Sequence, residues 1–166
     1  MKNKFKGKLI KVFTKKTRLP NGEIINLEIV KHPGAVLIVP FVNKNKIILL
    51  KQYRPVIDQY LYELPAGTLE ANESELSCAK RELIEETGYS TKKIKKIGQI
   101  YPCPGYSTEK IIFFTAQDLT TRGNQLEKDE IIQSNIYTKE QINKLFKKGK
   151  IVDAKTICAL NMIGWI

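Results

Sequence analysis

The sequence predicts an α+β fold, a mixed β-sheet flanked by helices. Segments rich in β-branched and aromatic residues recur along most of the chain, one amphipathic helix falls near the middle, and two helices are predicted at the C-terminal end. A chain of 166 residues is long enough to bury one core, and it contains no internal repeat, low-complexity block or linker. We therefore expect one domain over residues 1–166.

The first half of the chain is predicted to form β-hairpins. Residues 5–13 and 23–30 are typical of two strands joined around Asn21-Gly22, a dipeptide that accepts the positive φ angles of a tight turn. This pair predicts an N-terminal β-hairpin ahead of the main sheet. The other predicted strands of this half are residues 35–42, 46–53 and 61–65.

A central helix is predicted to run to about Thr87. Asn72 or Ser74 can cap its first turn, and Gly88 can end it in the left-handed conformation. Helical spacing predicts an apolar stripe facing the sheet, formed by Leu76, Cys78, Ala79 and Leu83.

The rest of the chain alternates strands with turns and ends in two helices. Thr138 and Gln141 form a capping box for a helix that ends at Gly149, and Asp153 opens a last helix over residues 154–165. The predicted strands before these helices are residues 94–101, 110–117 and 131–137. Strands followed by helices favour the α+β class.

The charge balance is strongly basic, with 28 lysine and arginine residues against 17 acidic ones. Only four of the 28 are arginines, and the lysines are scattered without interleaved aromatic residues. We interpret this pattern as a solvated lysine surface rather than a nucleic-acid interface. A modest attraction of anionic substrates is compatible with both interpretations.

Two observations predict a cytoplasmic protein without membrane association. The longest apolar run, residues 35–42, is too short to cross a membrane, and the basic N-terminus lacks the apolar core of a signal peptide. Three cysteines, Cys78, Cys103 and Cys158, form no CxxC pair, which indicates reduced thiols and no structural zinc site.

Three glutamates of the central helix form an acidic face. Glu82 and Glu86 lie one turn apart with Glu85 beside them, and their mutual repulsion is costly unless a cation lies among them. Clustered carboxylates are hard oxygen ligands of the kind that Mg²⁺ or Mn²⁺ prefers. The spacing alone is also typical of a solvated helix in which Arg81 simply pairs with Glu85.

A longer pattern decides between these alternatives. It runs Gly67-x5-Glu73-x7-Arg81-Glu82-Leu83-x-Glu85-Glu86-x-Gly88-Tyr89. This pattern resembles the Nudix box of the Nudix hydrolases. It departs from the box at two positions: Tyr89 replaces an aliphatic residue, and Asn72 stands where many members have glycine, although asparagine tolerates the left-handed conformation.

The resemblance implies a loop–helix–loop motif on an α/β/α sandwich that binds a divalent metal, Mg²⁺ or Mn²⁺, and hydrolyses nucleoside diphosphate compounds. It makes Glu82 and Glu86 metal ligands together with the backbone carbonyl of Ala66. Glu85 becomes a further ligand or a water-positioning group. Arg81 is counted with the catalytic group, since its ion pair with Glu73 would hold the carboxylates in place.

Motifs outside the box resemble the ADP-ribose pyrophosphatase branch of the family. They are His32-Pro-Gly-Ala-Val36, Gln52-Tyr-Arg-Pro55, Glu63-Leu-Pro-Ala-Gly67 and Pro104-Gly-Tyr-Ser-Thr-Glu109. The resemblance implies that Arg54 contacts a phosphate or the ribose, that Glu63 and Pro104 lie near the substrate, and that Glu28 reaches in from a partner subunit. The simpler alternatives are a surface pair of Arg54 with Asp58 and an edge-strand charge at Glu63.

Two other residues have competing interpretations. His32, the only histidine, is interpreted as a turn residue before Pro33-Gly34 rather than as a catalytic base. Glu130 precedes a strand on a loop that the family folds over its active site, so the resemblance makes it the candidate for binding a further metal or activating water. Glu127 and Asp129 are its rivals.

The resulting hypothesis is metal-dependent hydrolysis of a nucleoside diphosphate sugar, ADP-ribose to AMP and ribose 5-phosphate in the first place. GDP-mannose or another nucleotide sugar is the alternative within the class, and a nucleotide-sensing or RNA-binding module is the alternative of another class. The resemblance also implies a homodimer in which residues 1–31 are the dimerisation element, with or without exchange of the N-terminal strands.

Overall fold

The computed structural model of the chain describes residues 1–123 and 131–166. Its largest element is a seven-stranded sheet whose central strand is β4 (Ala35–Asn43). The other strands are β5 (Lys46–Arg54), β6 (Gln59–Glu63), β7 (Ala66–Thr68), β9 (Lys93–Ile100), β10 (Ile111–Gln117) and β12 (Ile132–Thr138). Short strands β8 (Tyr89–Ser90) and β11 (Thr120–Thr121) pair separately.

The strand order β12-β5-β4-β10-β9 makes the sheet mixed. β10 runs parallel to β4, in the register Phe113 with Leu37, while the other pairings are antiparallel. β6 pairs with β5, and β7 pairs with β4. The mixed sheet was predicted, whereas the three-residue strand β7 was not, because so short a segment carries no readable period.

Helices cover both faces of this sheet. Along β4 the side chains alternate, so Val36 and Ile38 pack against the helix α1 (Glu75–Thr87), and Leu37 and Val39 pack on the opposite face. That opposite face is covered by α2 (Lys139–Lys147) and α3 (Ala154–Met162). The predicted α/β/α sandwich of the α+β class is therefore confirmed.

The N-terminal residues form a separate three-stranded sheet: β1 (Lys2–Lys6), β2 (Lys11–Arg18) and β3 (Ile24–Lys31). The predicted hairpin is β2 with β3, but the predicted strand over residues 5–13 is divided. A turn separates β1 from β2, and in it the Gly7 amide donates to the Ile10 carbonyl at 2.9 Å. A Cβ at Gly7 would lie 2.8 Å from the exposed Phe5 ring, which would have to move aside for any larger residue.

The caps of α1 lie where the sequence predicts them, but one residue of the predicted apolar stripe is not buried. Ser74 is the N-cap and accepts from the Ser77 amide, Asn72 takes the left-handed conformation at φ 66, and Gly88 ends the helix. Cys78, Ala79 and Leu83 are buried as predicted. Leu76 is exposed instead, at the start of the helix, two residues before Cys78, the first residue of α1 that is buried in the core.

The last two helices are shorter than predicted. α2 begins with the capping box of Thr138 and Gln141 and ends at Lys147, just before the left-handed Gly149. α3 begins after the N-cap Asp153 and stops at Met162, since Gly164 also adopts a positive φ. Within the described residues, no helix combines the length and apolarity that a membrane crossing demands.

Candidate active site

The acidic face of α1 is turned inward. Glu82 and Glu86 are only 7% and 2% exposed, although both are carboxylates. The backbone amide of Ala66, at the start of β7, donates to Oε2 of Glu86 at 2.8 Å. The burial of two neighbouring acids is unfavourable unless positive charge or hydrogen-bond donors compensate it, so these carboxylates depend on the groups around them.

Gly67 lets the β7 backbone approach the first of these acids. A Cβ built on Gly67 would lie 1.8 Å from Oε1 and 1.9 Å from Cδ of Glu82. No side chain fits there. Glycine is required at this position for lack of space and not for its backbone conformation, since the φ angle of Gly67 is not positive. The carboxylate of Glu82 therefore occupies the volume that any other residue at position 67 would need.

Arg81 is the counter-ion of the acidic face. Its Nε and Nη2 donate to the two oxygens of Glu73, each at 2.9 Å, and its Nη1 donates to Glu82 at 2.6 Å and to Glu85 at 2.9 Å. The hydrogen bonds from Arg81 lower the pKa of Glu73 to about 2. The simple Arg81–Glu85 pair considered from the sequence is present, but as one contact of a four-residue cluster.

A cavity of about 1600 Å³ opens beside this cluster. Its lining includes Arg81, Glu82, Glu85 and Glu86 of α1 and the β7 residues Ala66 and Gly67. Arg54, at the end of β5, and residues 153–155, where α3 begins, also line it. The acidic helix face thus shares one cavity with a group of cations from distant parts of the chain.

The cations are organised around Glu63, which is only 1% exposed. Nε and Nη2 of Arg54 each donate to one oxygen of Glu63 at 2.7 Å, and Nζ of Lys155 donates to the same carboxylate. Burial acts to raise the pKa of Glu63, but the hydrogen bond from Arg54 and the charge of Lys155 outweigh it, so this pKa is lowered. Asp58 accepts from Tyr53 rather than from Arg54, so the alternative surface pair is not formed.

The other residues singled out from the sequence lie in different places. Glu28 is exposed on β3 and does not line the cavity of its own chain, so its role through a partner subunit stays a prediction. Pro104 is exposed beside the lining residues Pro102 and Cys103. Glu130 and its rivals Glu127 and Asp129 lie outside the described residues.

His32 takes up a turn, as its interpretation from the sequence requires. Its Nδ1 accepts from the Gly34 amide at 3.1 Å, and Gly34 has a φ of 104, a conformation that favours glycine. The ring also lines the cavity and lies 3.9 Å from Glu109.

The donor set of α1 and β7 fits a hard divalent cation. Two buried carboxylates of one helix turn meet a strand whose backbone is kept accessible by Gly67, and oxygen ligands are those that Mg²⁺ and Mn²⁺ prefer. Among residues 1–123 and 131–166, no three acidic, histidine or cysteine side chains converge into a complete site. A cation held there would take its remaining ligands from backbone carbonyls, from water or from further acids.

Lys155 and Asp153 were not recognised as site residues from the sequence. From the sequence, Asp153 is predicted only as a helix cap, and no role is predicted for Lys155. The signal available was a lysine in the first turn of α3, where the helix dipole disfavours a cation.

Comparisons with known proteins identify the family of this chain. The model of the NUDIX domain matches residues 31–160. An ADP-ribose pyrophosphatase of Bacillus subtilis is 38% identical over 161 residues, which cover 96% of this chain and 87% of the relative. A methanol dehydrogenase activator of Bacillus methanolicus is 34% identical with the same coverage.

A less similar protein matches in sequence, and a solved structure matches in fold. A GDP-mannose pyrophosphatase of Salmonella typhimurium is 31% identical over 156 residues, covering 86% of this chain and 81% of the relative. The crystal structure of an ADP compounds hydrolase superimposes with a TM-score of 0.83 at 22% identity, covering 98% of this chain and 88% of the other. The chain therefore belongs to the Nudix family and is a hydrolase homologous to ADP-ribose pyrophosphatase.

Proposed function

We propose that this protein hydrolyses the pyrophosphate bond of a nucleoside diphosphate sugar, with ADP-ribose as the first candidate and AMP and ribose 5-phosphate as the products. The observation that carries the proposal is that the two buried carboxylates of α1 and the guanidinium of Arg54 line one cavity. Carboxylates suit a metal and a guanidinium suits phosphate, so the pair fits an anionic substrate bound through a cation.

In this proposal, Glu82, Glu86 and the Ala66 carbonyl would hold a divalent cation, Mg²⁺ or Mn²⁺, and Glu130 would supply a further ligand. Such a cation would lower the pKa of a water and neutralise charge that develops on the phosphate oxygens. Glu85 or Glu130 orients or deprotonates the attacking water. Arg81, held by both oxygens of Glu73, fixes the directions of Glu82 and Glu85 through its Nη1.

The substrate-binding group is proposed to be Arg54, Glu63, Pro104 and, from a second subunit, Glu28. Arg54 contacts the phosphates or the ribose, and Glu63 acts through Arg54, since both of its oxygens already accept from that side chain. Pro104 belongs to the loop whose neighbouring residues line the cavity.

A homodimer through residues 1–31 is part of the proposal. No residue of the N-terminal sheet is buried, and Phe5, Leu9 and Ile24 are exposed in or beside its strands. Apolar side chains on a sheet without a covering layer favour a partner surface. We also propose that residues 1–166 act as one domain and that the protein is cytoplasmic, which the three free cysteines support.

The test is product analysis after incubation of the purified protein and Mg²⁺ with ADP-ribose, GDP-mannose, UDP-glucose and a nucleoside triphosphate. AMP released mainly from ADP-ribose supports the proposal, whereas GMP released from GDP-mannose transfers the same chemistry to the substrate named for the Salmonella relative. No turnover, together with RNA association that weakens steeply with salt, would favour the binding module instead.

Two variants link the activity to the acidic face. Glu82→Gln and Glu86→Gln remove the charge and keep the shape, so each should lower kcat by about 10²-fold or more while the protein stays folded. Glu140→Gln, the same change on the exposed surface of α2, is the matched control. Parental turnover of both α1 variants at saturating Mg²⁺ contradicts the assignment.

A further inference from the structure

We propose that Lys155 is a substrate-phosphate contact of this active site, acting beside Arg54 as the second cation that receives the pyrophosphate. The inference rests on the proposed function and adds a residue to it. It assigns to the start of α3 a part in binding that the motifs around the Nudix box do not assign.

The position of Lys155 brings it into the same cavity as the acidic helix. Nζ of Lys155 donates to Glu63 and, at 2.8 Å, to Oδ1 of Asp153, and the side chain is 18% exposed. Lys155, Arg54 and Glu86 all belong to the cavity lining. Glu86 is also close enough to Arg54 to contribute to the raised pKa of that guanidinium, after the larger contribution of its hydrogen bond to Glu63.

Arg54 and Lys155 together supply more positive charge and more hydrogen-bond donors than the carboxylate of Glu63 alone needs. Arg54 alone satisfies both oxygens of this buried carboxylate, each at 2.7 Å, so the second cation adds repulsion between like charges. Asp153 offsets part of that charge, but its Oδ2 also accepts the Thr156 amide as the cap of α3. The four side chains together carry no formal net charge, so a pyrophosphate would be held by the N–H groups that these ion pairs do not use.

Both cations retain hydrogen-bonding capacity. An ammonium has three N–H groups, and the contacts of Lys155 to Glu63 and Asp153 use two of them. A guanidinium has five N–H groups, and the contacts of Arg54 to Glu63 use two of them. The acids that hold these side chains also reduce their freedom, so little rotamer entropy remains to be lost when phosphate binds.

The location within α3 also argues against a merely structural lysine. Lys155 is in the first turn of the helix, where the dipole disfavours a cation and favours an anion. A lysine kept there at that cost places an ammonium at the cavity wall beside the start of a helix, and both features favour an anion such as phosphate.

The experiment compares Lys155→Met, Lys155→Arg and the parent in ADP-ribose hydrolysis at low and high salt. Lys96→Met is the control, since it removes a lysine that pairs with Glu75 outside the cavity lining. We expect Lys155→Met to raise KM about tenfold with kcat within about twofold, because the contact forms in ground and transition state alike. Lys155→Arg should keep most of the parental affinity. At about 0.5 M salt, the difference in KM between Lys155→Met and the parent should become smaller, because salt screens the contact of the ammonium with phosphate.

A binding titration separates this proposal from the proposed function. The probe is α,β-methylene-ADP, whose diphosphate is not cleaved, and parent and Lys155→Met are compared with melting curves for both. Weaker binding by a folded variant supports the contact. Equal KM and equal probe affinity in the two proteins overturn the role of Lys155 alone. A parent that neither binds the probe nor hydrolyses any nucleotide sugar overturns the proposed function, and this inference with it.

Discussion

Gly67→Ala should inactivate the enzyme through the single Cβ atom that the substitution adds. The Cβ built on this residue lies 1.8 Å from Oε1 and 2.5 Å from Oε2 of Glu82, so the two groups cannot occupy their places together. The backbone of β7 cannot easily move away, because Gly67 is in register with Val36, a fully buried residue of the central strand. The carboxylate of Glu82 is therefore the group that must move.

The size of that movement determines the expected loss of catalytic activity. Real Cβ atoms essentially never approach a neighbour closer than 3.0 Å, so Oε1 must shift by roughly 1.2 Å. A misplacement of about 1 Å in a positioned group costs about 10²-fold in rate, and catalytic groups tolerate only about 0.5 Å. We expect kcat/KM to fall by about 10²-fold or more, with the free energy of unfolding lower by about 1–2 kcal/mol.

The assay measures kcat/KM for the substrate found in the nucleotide panel, the apparent affinity for Mg²⁺, and urea unfolding. Gly98→Ala is the matched control, since its Cβ would meet only the flexible side chain of Met162, at 3.1 Å. Gly98 does not line the cavity, so this variant should keep parental kinetics. A folded Gly67→Ala protein with parental kcat/KM and Mg²⁺ affinity would refute the steric argument and, with it, the importance of the position of Glu82.

Three further variants or reagents test other parts of the structure. Because the pKa of Glu63 is lowered below its ordinary 4.5, its stabilising contribution is complete above that value and disappears as the pH falls through the lowered pKa. Glu63→Gln should therefore unfold at lower urea than the parent at pH 7, and the gap should narrow below pH 4.5; a gap that stays constant with pH contradicts this account. Burial raises the pKa of the Cys78 thiol to about 12, so the native protein should react with a disulfide reagent at Cys103 and Cys158 only. Rapid modification of a third thiol before unfolding would be the contrary result. Thr138→Ala removes the acceptor of the Gln141 amide and should lower the free energy of unfolding by about 1 kcal/mol. Its kcat/KM should not change, since α2 lies outside the cavity lining, and a loss of activity would tie α2 to the site.

The local features of this chain could be predicted from its sequence because each has a local cause. The helix α1 follows from the spacing of its apolar residues, from Ser74 and from Gly88, and the capping box of α2 follows from Thr138 and Gln141. The acidic face follows from helical geometry alone, since Glu82 and Glu86 are four residues apart. Leu76 shares the helical face of Ala79 and Leu83, but it is exposed, because a helical period does not indicate which turns of a helix are covered.

The contacts that organise the cations could not be predicted in the same way. Lys155 and Glu63 are 92 residues apart, and the sequence near each is compatible with ordinary exposed charges. The pairing follows from where the end of β6 and the start of α3 meet in the fold, which no local pattern encodes. The resemblance to the family indicated Arg54 and Glu63 as neighbours of the substrate, but not their direct mutual contact.

Arg81 explains how so many acids can coexist in α1 before a cation binds. Its guanidinium divides its donors between Glu73 and the pair Glu82 and Glu85, so the repulsion within the acidic face is compensated from inside the helix. A cation bound by Glu82 would compete only for the Nη1 contact, while Nε and Nη2 would keep Arg81 attached to Glu73. In the proposed mechanism, Glu73 therefore keeps the guanidinium within reach of Glu85 whether or not metal is present. On the opposite wall, Glu63 and Asp153 balance Arg54 and Lys155 in the same way, so this second group receives a phosphate through N–H groups that its ion pairs leave unused.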